Sequence, residues 1–239
     1  MSRNFTRFSV RQRTEHIVVM AAFTALCLTG LPQKFHGSAW APRLIGILGG
    51  IDSVRWIHRF FGLVMGAATL FHFEGVLREV VLRHGRLTMV PTRRDFRDAV
   101  DTLRYYLALR DQPPRYDRFD YKQKFEYWGL LVGNVVMLLT GAILIYPAFV
   151  TRYLPGEIVP AAKVAHSNEG LMAFLVIIVW HVYNAHLNPD VFPFDTTIFT
   201  GRISRERMAH EHPLELERLE GGPRGPGEDA GGHAGGEVG

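Results

Sequence analysis

The sequence predicts an all-α, integral-membrane, four-helix up-down bundle, and three observations predict it. Four apolar blocks, at 17–31, 56–82, 127–150 and 164–187, are set in polar connections. Lys and Arg are shared unevenly between alternate connections. Two of the blocks each carry a pair of histidines at matched spacing. The mean hydropathy of +0.03 over 239 residues looks soluble only because it averages the blocks with the connections between them.

Spanning a bilayer takes about 20 mostly apolar residues. The first block is the shortest and follows a basic stretch, as a cleaved signal peptide would. However, Leu28-Thr29-Gly30-Leu31-Pro32 is a poor small-residue cleavage site. Thr24-Ala25-Leu26 lacks the small residue expected directly before a lipidated Cys27. The expectation is an uncleaved first helix that keeps His16. Cys27 is the only cysteine, so an iron–sulfur cluster, an internal disulfide and covalent haem attachment through C-x-x-C-H are excluded. The second block is interrupted by Arg59 and Glu74. A buried globular helix explains either of these two blocks alone, but four in one chain favour a membrane bundle.

The connection between the second and third blocks contains 93–106, where arginines and aromatics alternate with acids. That pattern reads as an amphipathic interfacial helix against membrane lipid, and no nucleic-acid partner is expected. Residues 1–220 read as one four-span domain, and 221–239 as a disordered Gly-rich cytoplasmic tail with His233 a passenger.

Orientation follows from the cations. Segments 1–15, 84–126 and 188–220 hold eighteen Lys and Arg, whereas 32–55 and 150–163 hold five. The positive-inside rule puts both termini and the long middle connection in the cytoplasm, in a multi-pass protein of a bacterial inner membrane. The pI near 9.4 reflects this bias.

His58 and His72 are 14 residues apart, and His166 and His181 are 15 apart. On a helix these spacings separate the imidazoles by roughly 21–22 Å along the axis and about 40° and 60° around it, so each pair shares a broad face. A single histidine in an apolar helix is better read as a polar residue satisfied by its neighbour. Four at matched spacing are not, because intramembrane ionisable groups are costly and usually functional. The second and fourth helices run parallel in an up-down bundle, so they hold opposed imidazoles at two depths, as bis-histidine b-type haems require.

His58 and His166 then form an outer level, and His72 and His181 an inner one. His16 lies level with the inner pair. All five are ligand candidates if a third haem is bound or one histidine is a spectator. Gly62 and Gly170 each follow an outer histidine by four residues, on the same face. There a porphyrin can lie flat on the backbone, or helices can pack closely, as Gly62-x-x-x-Gly66 also allows. His186, about 140° round an α-helix from His181, faces elsewhere, toward quinone, lipid headgroups or an additional haem. Asp120, Lys122, Gln123, Asn184 and His186 are the candidates for a quinone site, which needs hydrogen-bonding groups and a proton route. Two other classes compete: a haem-free proton relay or transporter using the histidines with Glu74 and Glu169, and a structural anchor. The first leaves the paired spacing unexplained, and the second needs no intramembrane histidine.

Further motifs carry a family resemblance over about residues 5–220. They are Arg13-Thr14-Glu15-His16, Trp56-Ile57-His58-Arg59-Phe60-Phe61-Gly62, Gln123-Lys124-Phe125-Glu126-Tyr127-Trp128 and Thr140-Gly141. After them come His166-Ser167-Asn168-Glu169-Gly170, Trp180-His181-Val182-Tyr183, Thr200-Gly201-Arg202-Ile203-Ser204 and His210-Glu211-His212-Pro213. In order and spacing the chain resembles the membrane cytochrome b (gamma) subunit of respiratory formate dehydrogenase and related anaerobic oxidoreductases. The resemblance implies a non-catalytic electron-transfer subunit, carrying a quinone-reactive site, that links an iron–sulfur or multihaem cytochrome partner to the quinone pool. It implies haem b held by His16 with His181 and by His58 with His166. Two features depart from that pattern: the extra His72, and 15 rather than 14 residues between His166 and His181. Both departures are similar to the cytochrome b of quinol–cytochrome c reductases, which would pair His72 with His181. Either pairing, with two haems or three, fits the sequence.

Overall fold

All four apolar blocks form helices that begin before the apolar stretch, and polar caps set two of those starts. The computed structural model describes residues 3–82, 87–189 and 191–221. After a short strand β1 (Asn4–Thr6), helix α1 runs Val10–Lys34, seven residues earlier than its apolar block. Ser9 sets that start: its hydroxyl accepts the Gln12 N–H at 3.3 Å, and the Gln12 side chain accepts the Ser9 N–H at 2.9 Å. Helix α2 (Ala41–Ile47) precedes α3 (Ile51–Leu82). Helix α4 (Arg93–Tyr106) occupies the amphipathic connection.

Helix α5 (Tyr121–Ile145) opens on the same kind of box. Asp120 accepts the Gln123 N–H at 2.7 Å, and Gln123 accepts the Asp120 N–H at 3.1 Å. The sequence carried this span to 150, but it ends at Ile145. Pro147 disfavours a helical residue before it, and Tyr146 leaves the helix at φ −121° to start the short α6 (Pro147–Val150). Helix α7 (Ile158–Leu175) continues through two wider stretches with i→i+5 hydrogen bonding, Val176–His181 and Tyr183–Leu187. Together they make one 30-residue span, Ile158–Leu187. Helix α8 (Thr197–Thr200), strand β2 (Arg202–Ser204) and helices α9 (Arg205–Glu211) and α10 (Pro213–Leu219) complete the described chain.

Two compact units divide these elements, one of 7–87 and 126–201, the other of 1–6, 88–125 and 202–239. In the first, α1, α3, α5 and α7 run alternately up and down. The C-terminal half of α1 meets the start of α3 at Thr29 and His58, and its N-terminal half meets the end of α3 at Glu15 and His72. Helix α5 meets α7 in the same sense, through Thr140 with His166 and Glu126 with His181. His58 meets His166 at one end and His16 meets His181 at the other, so α7 runs opposite to α1 and parallel to α3. Ala22, Val54, Met65 and Thr69 are buried between helices, whereas Leu63, Leu70, Val132 and Val179 are 59–72% exposed. Four spans presenting such apolar area would aggregate in water, but they match a lipid phase.

In the other unit, β1 pairs antiparallel with β2, with Phe5 opposite Ile203. Phe5 packs on a small core of Ile203, Met208 and Leu216. Helix α4 turns its acids and hydroxyls inward, with Lys124 Nζ 2.8 Å from Asp95 and the Thr102 hydroxyl 2.8 Å from that of Tyr116. Its apolar side faces out, with Phe96 75% and Leu103 58% exposed. The Gly-rich tail expected from 221 onward lies, after Gly221, outside the described residues.

Candidate functional site

The outer histidines come from parallel helices α3 and α7, and each is held by the helix before it in the chain. The Thr29 hydroxyl on α1 donates to the Ala25 carbonyl at 2.7 Å, an i−4 bond that uses its only proton. Its contact with His58 Nδ1 at 2.9 Å therefore makes the hydroxyl the acceptor and Nδ1 the protonated nitrogen. On α5, Thr140 donates to the Val136 carbonyl at 2.6 Å and accepts from His166 Nδ1 at 3.0 Å. In both rings Nε2 is left with a lone pair. The His58 and His166 ring centroids are 6.2 Å apart.

The glycine after each threonine makes room for the ring. A Cβ on Gly30 would come 3.1 Å from His58 Cε1, and one on Gly141 would come 3.3 Å from His166 Cε1. In the sequence, Thr-Gly followed one helix later by a histidine occurs twice, as Thr29-Gly30 with His58 and Thr140-Gly141 with His166. That recurrence was the available signal.

At the other level His16 on α1 and His181 on α7 have centroids 6.1 Å apart. The Glu126 carboxylate lies 2.6 Å from His181 Nδ1, off the line of a hydrogen bond. His16 Nδ1 is buried without a hydrogen-bond partner among the described residues. His72, also at this level, has both nitrogens engaged: Nδ1 with Glu15 at 3.0 Å and Nε2 with the Tyr127 hydroxyl at 2.8 Å. Arg11 continues the chain, 2.7 Å from Glu15 and 3.2 Å from Glu74.

His186 departs from the α-helical expectation of a separate face. Through turns closed by i→i+5 bonds, residues five apart approach one side of the helix, and His186 comes within electrostatic range of His16 and His181. Its Nδ1 accepts the Asp195 N–H at 3.3 Å, and its ring stacks on Phe194 with centroids 4.2 Å apart. Asn184 donates to the Trp180 carbonyl at 2.8 Å, back onto its own helix. Asp120 and Gln123 are the cap of α5, and with Lys122 they belong to the smaller unit. Glu169 lies over Gly133, where a Cβ would meet its Oε1 at 2.5 Å, and Cys27 is half-buried in α1.

Two imidazoles bound to one iron at about 2.0 Å, with ring centres about 1.15 Å farther out, have centroids about 6.3 Å apart. Ring packing alone covers about 4.5–7 Å, but both pairs fall within 0.2 Å of the iron-bridged value. Among the described residues no cluster of three His, Cys, Asp or Glu suits a bare metal ion. A Cβ on Gly62, one turn beyond His58, would meet nothing within 4 Å, so a flat ring system fits against that backbone. The residues fit haem.

Comparison with known proteins agrees. The chain is 22% identical over 222 residues to the cytochrome b556(Fdn) subunit of the nitrate-inducible formate dehydrogenase of Escherichia coli K12, covering 92% of this chain and 94% of that one. It is 24% identical over 180 residues to the formate dehydrogenase cytochrome b556(fdo) subunit of the same organism, covering 75% of this chain and 77% of that one. The corresponding Haemophilus influenzae subunit is 27% identical over 186 residues, covering 76% and 72%. Residues 7–191 match the model of the prokaryotic cytochrome b561 family. With four membrane-length apolar helices and opposed histidine pairs at two levels, the chain belongs to that family and is a membrane electron-transfer cytochrome of the haem b type.

Proposed function

We propose that the chain holds two haem b groups, one between His58 and His166 and one between His16 and His181, and links a partner oxidoreductase to the quinone pool of a bacterial inner membrane. The observation that carries this reading is the pair of imidazole spacings, 6.2 and 6.1 Å, at two levels of one bundle. Bound haem supplies one-electron redox chemistry. The chain supplies the ligands, their orientation and a lipid-embedded setting. His72 is a less suitable ligand than His16, because both its nitrogens are already bonded to Glu15 and Tyr127.

The partner reading rests on relatives that are subunits of formate dehydrogenases. The partner is an iron–sulfur or multihaem cytochrome subunit. It meets the outer haem, and quinone reacts near the inner one, where His186 and Asn184 lie on the same helix as His181. Both termini are cytoplasmic on the charge bias, and α4 lies at the lipid surface.

Haem counting on purified holoprotein tests this. His58→Ala, His166→Ala, His16→Ala and His181→Ala should each lose one haem of two, and His72→Ala should keep both. Loss of the inner haem in His72→Ala but not in His16→Ala would reverse the inner pairing. Fewer than one haem per replete wild-type chain would end the reading.

A further inference from the structure

Behind each outer histidine stands the same three-part device: a threonine whose only proton is committed to its own helix, a glycine beside it, and an imidazole turned to meet both. From this we infer that Thr29 and Thr140 are positioning residues that set the tautomer, the ring orientation and hence the redox potential of the outer haem alone. The inference rests on the proposal that His58 and His166 bind that haem.

The commitment of the threonine proton is what makes the device one-directional. A hydroxyl free to rotate could serve either tautomer, but Thr29 and Thr140 donate to Ala25 and Val136 and can only accept from the ring. Nδ1 must then carry the proton, and Nε2 is left to bind iron. Accepting that proton's hydrogen bond also makes the imidazole more electron-donating, which favours ferric over ferrous iron. The adjoining glycines fix the other coordinate. Gly30 and Gly141 let each Cε1 approach the supporting helix more closely than a side chain there would allow, so the ring plane is held between a hydroxyl and a backbone.

At the inner level this arrangement is absent from the described residues. His181 Nδ1 faces the Glu126 carboxylate, and His16 Nδ1 has no hydrogen-bond partner among the described residues. Changes at the threonines therefore read out on one haem, with the other as an internal control.

The test uses Thr29→Val and Thr140→Val, which keep shape and remove the hydroxyl, against Thr29→Ser and Thr140→Ser, which restore it. Purified holoprotein is followed by redox titration and by low-temperature EPR of the ferric state. Each valine variant should raise the midpoint potential of the outer component, change its g-values, and weaken outer haem retention about 10- to 100-fold against a competing apo-globin. The inner component should not move, and serine should return the outer one to wild type. Valine variants with full haem content and unchanged outer potential and g-values would overturn the inference. If valine costs both haems, Thr→Ala and Thr→Ser decide on potential: equal values at wild-type level reject the role, and a raised value for alanine only supports it. Retention of both haems by His58→Ala would instead refute the underlying ligand assignment.

Discussion

Each histidine in this bundle has two nitrogens to satisfy, and how it does so separates ligand candidates from structural ones. His72 spends both on Glu15 and Tyr127, tying α1, α3 and α5 together. Replacing it with Phe leaves Glu15 and Tyr127 without that partner and should cost about 1–3 kcal/mol of stability, with haem content and both potentials retained. Thermal unfolding followed by Soret absorbance checks both parts. Gly62 offers a sharper discrimination. Because a Cβ there meets no protein atom, Gly62→Ala should strengthen the helix by up to about 1 kcal/mol. If a porphyrin lies on that backbone, the same change should nonetheless lower outer haem occupancy. Gly62→Ala with full occupancy would place the ring elsewhere. The histidines were legible in the sequence as a set. Their partners were not, because Thr29, Thr140, Glu15 and Tyr127 gain meaning only when antiparallel helices bring residues 26–57 positions apart into contact.

At the scale of elements, hydropathy located every span but placed every N-terminal end five to seven residues too late. It registers the apolar middle of a helix, whereas capping boxes at Ser9 and Asp120 begin α1 and α5 in polar sequence. Helix α4 shows what such a box contributes outside the spans. Its Asp95 accepts the Thr92 N–H at 2.6 Å and the Lys124 ammonium at 2.8 Å. Burial pushes this carboxyl up, but hydrogen bonds from Lys124 and Thr92 outweigh that and hold it below its ordinary value near 3.8. A lowered acid contributes stability above its ordinary value and loses it as pH falls through the lowered one. Protection of residues 92–106 from hydrogen exchange should therefore be full at neutral pH and fall below about pH 4. Asp95→Asn should show less protection at neutral pH, by about 1–2 kcal/mol, and a flatter acid limb. An unchanged acid limb in the variant would remove Asp95 from the account.

The wider turns of α7 were hidden in the sequence for a different reason. Nothing in Val176–Leu187 distinguishes i→i+5 from i→i+4 bonding. The one visible trace is the fifteen-residue spacing of His166 and His181 against fourteen for His58 and His72, since a π-bulge takes in one extra residue. At the scale of the whole molecule, α1–α3 and α5–α7 are two hairpins, and in each imidazole pair one ring comes from either hairpin: His58 and His16 from the first, His166 and His181 from the second. Iron bound between them is therefore a brace as well as a carrier. Four metal–ligand bonds would clamp the two halves of the chain together, and a ligand bound only by the native state stabilises it in proportion to its supply. Cells starved of haem should thus yield chains that reach the membrane and are then cut by protease in the 107–120 connection, while haem-replete chains resist. Cofactor supply would act on this protein first as an assembly checkpoint, and only later as a limit on electron flow.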